Sequence, residues 1–256
     1  MESSTVESEG ATIHFWYQGS GPLLILIPGG GGNGHDYDRI LPLLSQKYTA
    51  LTFDRRGNGQ SRTSENKPLN PAQQARDIIA IIKNVGFQKA YIFGSSGGGV
   101  IALTLASLYP KYVQQVIAHE APTYTILPDA SEWIDFCYSV YDTYKAQGPL
   151  AAWKIFFKST VGLEFDGDDI PHSTGDYFFQ YEYLFLTLFT PDLLRIRENG
   201  VQVKIGVGID SGDAPYARTT MKQAEILDCP KLVFPGHHTG YISQAETFSQ
   251  ILINTL

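Results

Sequence analysis

Apolar residues in this chain fall into short unbroken runs separated by segments of helical periodicity. Residues 23–28 (Leu-Leu-Ile-Leu-Ile-Pro) form a continuous apolar run, as expected for a strand buried on both faces. Residues 49–53, 90–93, 113–118, 203–207 and 231–234 are similar short runs. Residues 12–15 instead alternate polar and apolar, and Trp16 and Tyr17 extend them. Because Glu7-Ser8-Glu9-Gly10 reads as a turn, this run is predicted to be the second arm of a hairpin. Between the runs lie helix-like segments at 37–45, 71–85, 97–108, 215–226 and 245–255. Asn70 followed by Pro71 is a helix start, with Asn70 as cap and Pro71 as first helical residue. Buried strands alternating with amphipathic helices predict an α/β fold: a mostly parallel central sheet with helices on both faces.

The alternation breaks at residues 123–200, which contain no clear strand but 17 of the chain's 32 aromatic residues. We read this stretch as a helical cap inserted into a core made of residues 1–122 and 201–256. A segment with so many rings and so little other apolar surface is expected to turn some of them toward a cleft.

Composition narrows the field. At 256 residues and 43% hydrophobic, the chain can bury one sizeable core. The longest aliphatic run, Leu23–Ile27, is far below the ~20 residues needed to cross a membrane, and residues 1–10 lack the basic start and apolar stretch of a secretory signal. A formal charge of −7, from 19 basic and 26 acidic residues, argues against nucleic acid or an anionic membrane as partner. Cys137 and Cys229 form neither a disulfide framework nor a ligand cluster, so no metal or organic cofactor is expected. A reducing, cytoplasmic setting suits them. The oligomeric state stays open, a homodimer included.

The chemistry starts at Gly94-Ser95-Ser96-Gly97-Gly98, a Gly-x-Ser-x-Gly pattern that follows the run 90–93 and opens the helix 97–108. A serine on so sharp a turn clears its neighbours only if they are small, and it stands at a helix amino end that favours negative charge. Ser96 is the candidate nucleophile. Its base is sought in Pro235-Gly236-His237-His238-Thr239-Gly240, a loop after the last predicted strand and at the same sheet edge. Local sequence does not choose between His237 and His238.

With the leading hairpin, the glycine-rich loop after residues 23–28, the elbow, the insertion and the late histidine, nearly the whole chain resembles the α/β-hydrolase superfamily. The resemblance implies His238 as base, because members often carry Pro-Gly-x-His before the final helix. It places the usual acid after residues 203–207, where Asp210 and Asp213 lie. However, Ala118-His119-Glu120-Ala121-Pro122-Thr123 is similar to the corresponding segment of the fungal zearalenone lactone hydrolases, whose acid follows the preceding strand. Those enzymes share the Ser-Ser-Gly elbow. On this likeness Glu120 ranks ahead of Asp213, and Asp213 ahead of Asp210. The oxyanion hole is expected from the N–H groups of Gly97 and Gly30, the latter in a loop that begins Pro28-Gly29 where many members have His-Gly. The implied reaction is acyl-enzyme hydrolysis of a carboxylic ester or lactone, through a Ser96–His238–Glu120 triad. The aromatic cap favours a hydrophobic small molecule, with Trp133, Trp153, Tyr181 and Tyr183 as candidate walls. A ligand receptor or a lyase or cyclase using the same pocket are the rival readings.

Gly29-x-Gly31-x-x-Gly34, with Asp54 further on, also fits a dinucleotide fingerprint. A run of four glycines matches it easily by chance, and it leaves Ser96 and His238 without a role. Asp54-Arg55-Arg56-Gly57-Asn58-Gly59-Gln60-Ser61 instead resembles a structural loop of the superfamily, with its two arginines expected in solvent.

Overall fold

The computed structural model describes residues 1–162 and 172–256. Nine strands form one sheet: β1 Glu2–Ser8, β2 Ala11–Gln18, β3 Leu23–Ile27, β4 Thr49–Phe53, β5 Arg62–Thr63, β6 Ala90–Ser95, β7 Val113–His119, β8 Val203–Gly208 and β9 Lys231–Phe234. Their spatial order is β1-β2-β4-β3-β6-β7-β8-β9, with β5 beside β2. The hairpin and β5 pair antiparallel, and every neighbour from β4 to β9 is parallel. The helices are α1 Leu41–Leu44, α2 Pro71–Asn84, α3 Gly97–Leu108, α4 Ala130–Gln147, α5 Pro149–Phe156, α6 His172–Tyr177, α7 Tyr183–Thr187, α8 Leu193–Glu198, α9 Pro215–Leu227, α10 Gly240–Ser243 and α11 Ala245–Thr255.

The period-two geometry of the strands builds two cores. Leu23, Ile25 and Ile27 of β3 face a cluster with Ile78, Ile81 and Ile82 of α2 and Val100, Leu103 and Leu105 of α3. Leu24 and Leu26 face the other way, toward Leu41 and Leu44 of α1 and Phe248 and Leu252 of α11. A strand with apolar neighbours on both faces reads as a continuous run, which is why β3 and β4 carry no polar alternation. Asn70 caps α2 as expected, its Oδ1 accepting from the N–H groups of Ala72 (2.9 Å) and Gln73 (3.2 Å).

Three local expectations are corrected. The hairpin turn is only Glu9-Gly10, because β1 runs on to Ser8 in full register with Ala11. The helix expected over 37–45 is two single turns, Gly34–Tyr37 and α1, since Pro42 cannot donate the bond that would join them. The strand at 231–234 is an edge strand with only Phe234 buried, so its apolar run is not a mark of two-sided burial.

Between β7 and β8 the described residues form helices and no strand. This insertion has its own aromatic core, in which Phe178 lies flat on Trp153 (centroids 5.0 Å apart, planes within 3°) and Tyr183 is fully enclosed. Residues 163–171 of the expected cap lie outside the described residues.

Candidate active site

Among the described residues, four other than glycine hold a positive φ. Glu9 belongs to the hairpin turn and Asp228 ends α9 in the left-handed region. The other two are Ser96 (φ 56°) and Glu120 (φ 48°), each directly after a strand that ends at the carboxyl edge of the sheet. Such conformations cost of order 1–3 kcal/mol and persist only where the surroundings enforce them. For Ser96 the enforcement is visible. Its N–H donates to the His119 carbonyl at 2.9 Å, and α3 starts at the next residue. A Cβ on Gly94 would collide with the Gly98 carbonyl, and one on Gly98 with the Ile27 carbonyl. Both flanking glycines are therefore dictated by close backbone approach.

Glu120 is wholly buried between the ends of β7 and β8. Its N–H donates to the Gly206 carbonyl (3.0 Å), and its Oε1 accepts from the Gly208 N–H (2.8 Å). Its Oε2 lies 2.7 Å from Nδ1 of His238. Burial pushes its pKa up, but the bond to His238 and the charge interactions with His119 and His238 outweigh that and hold it at about 2. Glu120 is thus an ionised acceptor across the whole neutral range. His238 follows β9 in the loop that Gly236 turns, and Tyr216 packs against its ring at 4.2 Å between centroids. His237 lies against Gly162 instead, and His119 is fully buried, kept neutral by desolvation with a pKa of about 4.

Ser96 and His238 line one cavity of about 230 Å³. Its walls include Gly29, Gly30 and Gly97 and the rings of Tyr124, Trp153, Phe156, Phe157, Phe178 and Tyr216. Among the described residues no hydrogen bond uses the N–H of Gly30 or Gly97, so both remain available to a ligand oxygen. Asp210 and Asp213 are exposed, and neither side chain bonds to His238.

The cavity wall differs from the one expected. Of the four candidates only Trp153 lines it. Trp133 packs on Tyr124 and Phe136 with its indole N–H on Asp129, and Tyr183 is consumed by the core of the insertion. Tyr181 borders a separate, polar surface cleft with Tyr177. Aromatic content marks the segment but not which rings turn inward, because that depends on helix orientation.

A profile of the α/β-hydrolase fold matches residues 22–161, more than half of the chain. The chain belongs to the α/β-hydrolase family. Across an alignment of 273 residues it is 28% identical to an uncharacterized hydrolase of Bacillus subtilis, YraK, covering 100% of this chain and 96% of the relative. A zearalenone hydrolase of Cladophialophora bantiana is 29% identical over 265 residues, again covering 100% and 96%. The fold is shared with a thermophilic esterase from Thermogutta terrifontis (TM-score 0.77, 16% identity, 99% of this chain and 97% of that one). It is also shared with the enol-lactonase of Burkholderia xenovorans (TM-score 0.74, 14% identity, 98% of each chain). Family and relatives together support a hydrolase.

In this α/β-hydrolase the arginines after β4 are not solvated as expected. Arg55 is fully buried and forms a two-pronged pair with Glu182 of the insertion, at 2.9 and 2.7 Å. It also donates to the Gly29 carbonyl (2.7 and 3.2 Å), and Glu182 accepts from the Gly31 N–H (3.2 Å) and from Asn58 (2.8 Å). The glycine loop is thereby tied to the insertion through a single buried carboxylate. Glu182 closes a π-helical turn, Phe178–Glu182, a distortion often found at functional sites. No sequence signal links residues 127 positions apart, so this pair was invisible before folding. Arg56 pairs with the buried Asp77. Asp54, the acid of the dinucleotide pattern, spends its carboxylate on the N–H groups of Gly34 (2.8 Å) and Gln60 (2.6 Å) and serves the loop. Among the described residues no cluster of three or more His, Cys, Asp or Glu could hold a metal, and no helix is long and apolar enough to cross a membrane.

Proposed function

We propose that this α/β-hydrolase is a serine hydrolase that cleaves a carboxylic ester or lactone of a hydrophobic small molecule. One observation carries the reading: a strained elbow serine and a histidine held by a buried carboxylate open onto the same ring-lined cavity. With Nδ1–H donated to Glu120, the lone pair of His238 Nε2 is left to take the Ser96 proton. Ser96 Oγ then bonds to the substrate carbonyl carbon, and the oxyanion is met by the N–H groups of Gly30 and Gly97. Collapse breaks the acyl–oxygen bond, and His238 returns the proton to the leaving alkoxide. Water, deprotonated by His238, releases the acid and regenerates Ser96. Each oxyanion donor supplies about 3–4 kcal/mol to the transition state. Residues 123–200 act as the cap over a core of 1–122 and 201–256, and Glu120 rather than Asp213 or Asp210 is the acid.

The substrate class draws support from the apolar wall, and from relatives and structural neighbours that are named zearalenone hydrolase, esterase and enol-lactonase. The test is intact mass after treatment with a fluorophosphonate, for the wild type and Ser96→Ala. A single adduct on the wild type and none on Ser96→Ala is the expected outcome. A folded wild type that stays unlabelled would turn the reading toward a receptor or non-hydrolytic role.

A further inference from the structure

Among the described residues Asp36 is the one acidic residue that lines the catalytic cavity, and the triad reading gives its carboxyl no role. Asp36 lies in the short helical turn Gly34–Tyr37 that follows the glycine loop. Its backbone N–H donates to the Asn33 carbonyl, and its carboxyl makes no hydrogen bond to any described residue. Nearby Arg55 does not serve as its partner, since that guanidinium is committed to Glu182 and Gly29. Three other polar wall groups are engaged within the protein. Thr160 and Thr187 donate to the carbonyls of Phe157 and Tyr183, and the Tyr216 hydroxyl accepts from the Val161 N–H. A half-buried carboxyl that no described residue pairs is an acceptor left open to a ligand in the cavity.

We propose that Asp36 selects the substrate, its carboxyl accepting a hydrogen bond from a hydroxyl carried by the ester or lactone that Ser96 attacks. The inference rests on the serine-hydrolase reading and narrows it to hydroxylated hydrophobic substrates. A hydroxyl is favoured over an ammonium for a physical reason. Burial opposes the charged form of Asp36 and raises its pKa to about 7, with Arg55 pulling the other way. Either protonation state still offers an oxygen lone pair to a hydroxyl. Only the charged state, which burial suppresses below about pH 7, repays the desolvation of an ammonium.

The test uses p-nitrophenyl esters of 3-arylpropanoic acids whose ring carries, at each position in turn, a hydroxyl, a methyl or an aminomethyl group. Release of p-nitrophenol gives kcat/KM for the wild type, Asp36→Leu and Asp36→Asn, and fluorophosphonate labelling of Ser96 is followed in parallel. For at least one ring position the wild type is expected to prefer hydroxyl over methyl by about tenfold or more. Asp36→Leu should abolish that preference, bringing the hydroxyl-to-methyl ratio of kcat/KM to about one, and Asp36→Asn, still an acceptor, should keep part of it. Equal losses on all esters in Asp36→Leu, a preference for aminomethyl, or no hydroxyl preference in the wild type (no turnover of any ester included) overturns the proposal. If Ser96 is still labelled in that last case, the serine-hydrolase reading stands. If it is not, both fall.

Discussion

Removing Glu182 should destabilise the protein far more than an ordinary substitution, although Glu182 belongs to the inserted helices. Glu182 is 2% exposed and Arg55 is 0% exposed. Glu182→Leu strands the Arg55 guanidinium in the interior and deprives Asn58 and the Gly31 N–H of their acceptor. Breaking a buried pair from one side costs about 3–5 kcal/mol, because the remaining charge has lost its compensation. For a chain of this size each kcal/mol moves Tm by roughly 2–4 °C, so a fall of roughly 6–20 °C is expected by calorimetry. Arg55→Met combined with Glu182→Leu removes the stranded charge and should recover part of the loss. The double variant should nevertheless stay catalytically impaired, because the Gly29 carbonyl and the Gly31 N–H are no longer held. A Tm within about 2 °C of wild type for Glu182→Leu, a loss of less than about 1 kcal/mol, would refute the account of Glu182 as the tie between loop and insertion.

Further outcomes follow from the same geometry. Glu120→Gln should keep the fold but lower kcat by about 10³–10⁴, since a neutral amide cannot stabilise the His238 imidazolium, while Asp213→Asn and Asp210→Asn stay within about twofold; steady-state kinetics on one ester checks all three. Gly30→Ala places a methyl 2.6 Å from Phe178 Cε2, and that ring is backed by Trp153, so kcat should fall by about 10²–10³ as the loop is displaced. Burial lowers the folded pKa of His119 to about 4 from its ordinary 6.5, so the unfolded chain binds the extra proton first. Its contribution is therefore complete above pH 6.5 and lost as pH falls toward 4. Because the raised Asp36 carboxyl titrates in the opposite sense in both proteins, the readout is the difference: the Tm of the wild type relative to His119→Gln should fall as pH drops across that window. Glu120 acts lower: its pKa is depressed from 4.5 to about 2, so its stabilisation is present above pH 4.5 and disappears as pH falls toward 2.

The chain alone determined whatever depends on local pattern. β3 was legible because a strand covered on both faces must be continuously apolar, and the start of α2 because Asn70 and Pro71 satisfy one helix end. The elbow around Ser96 was legible because close backbone approach leaves no room for a side chain at Gly94 or Gly98, and the His238 loop because family likeness singled it out. Ranking Glu120 above Asp213 also rested on likeness, since nothing local distinguishes a buried acceptor from an exposed one. Tertiary structure alone decided the rest. It brought Glu120 within 2.7 Å of a histidine 118 positions away, buried Arg55 against Glu182, and turned Trp153 inward but Trp133 outward. Each of these depends on where distant elements dock, and docking follows the summed packing of whole faces rather than the identity of any one residue.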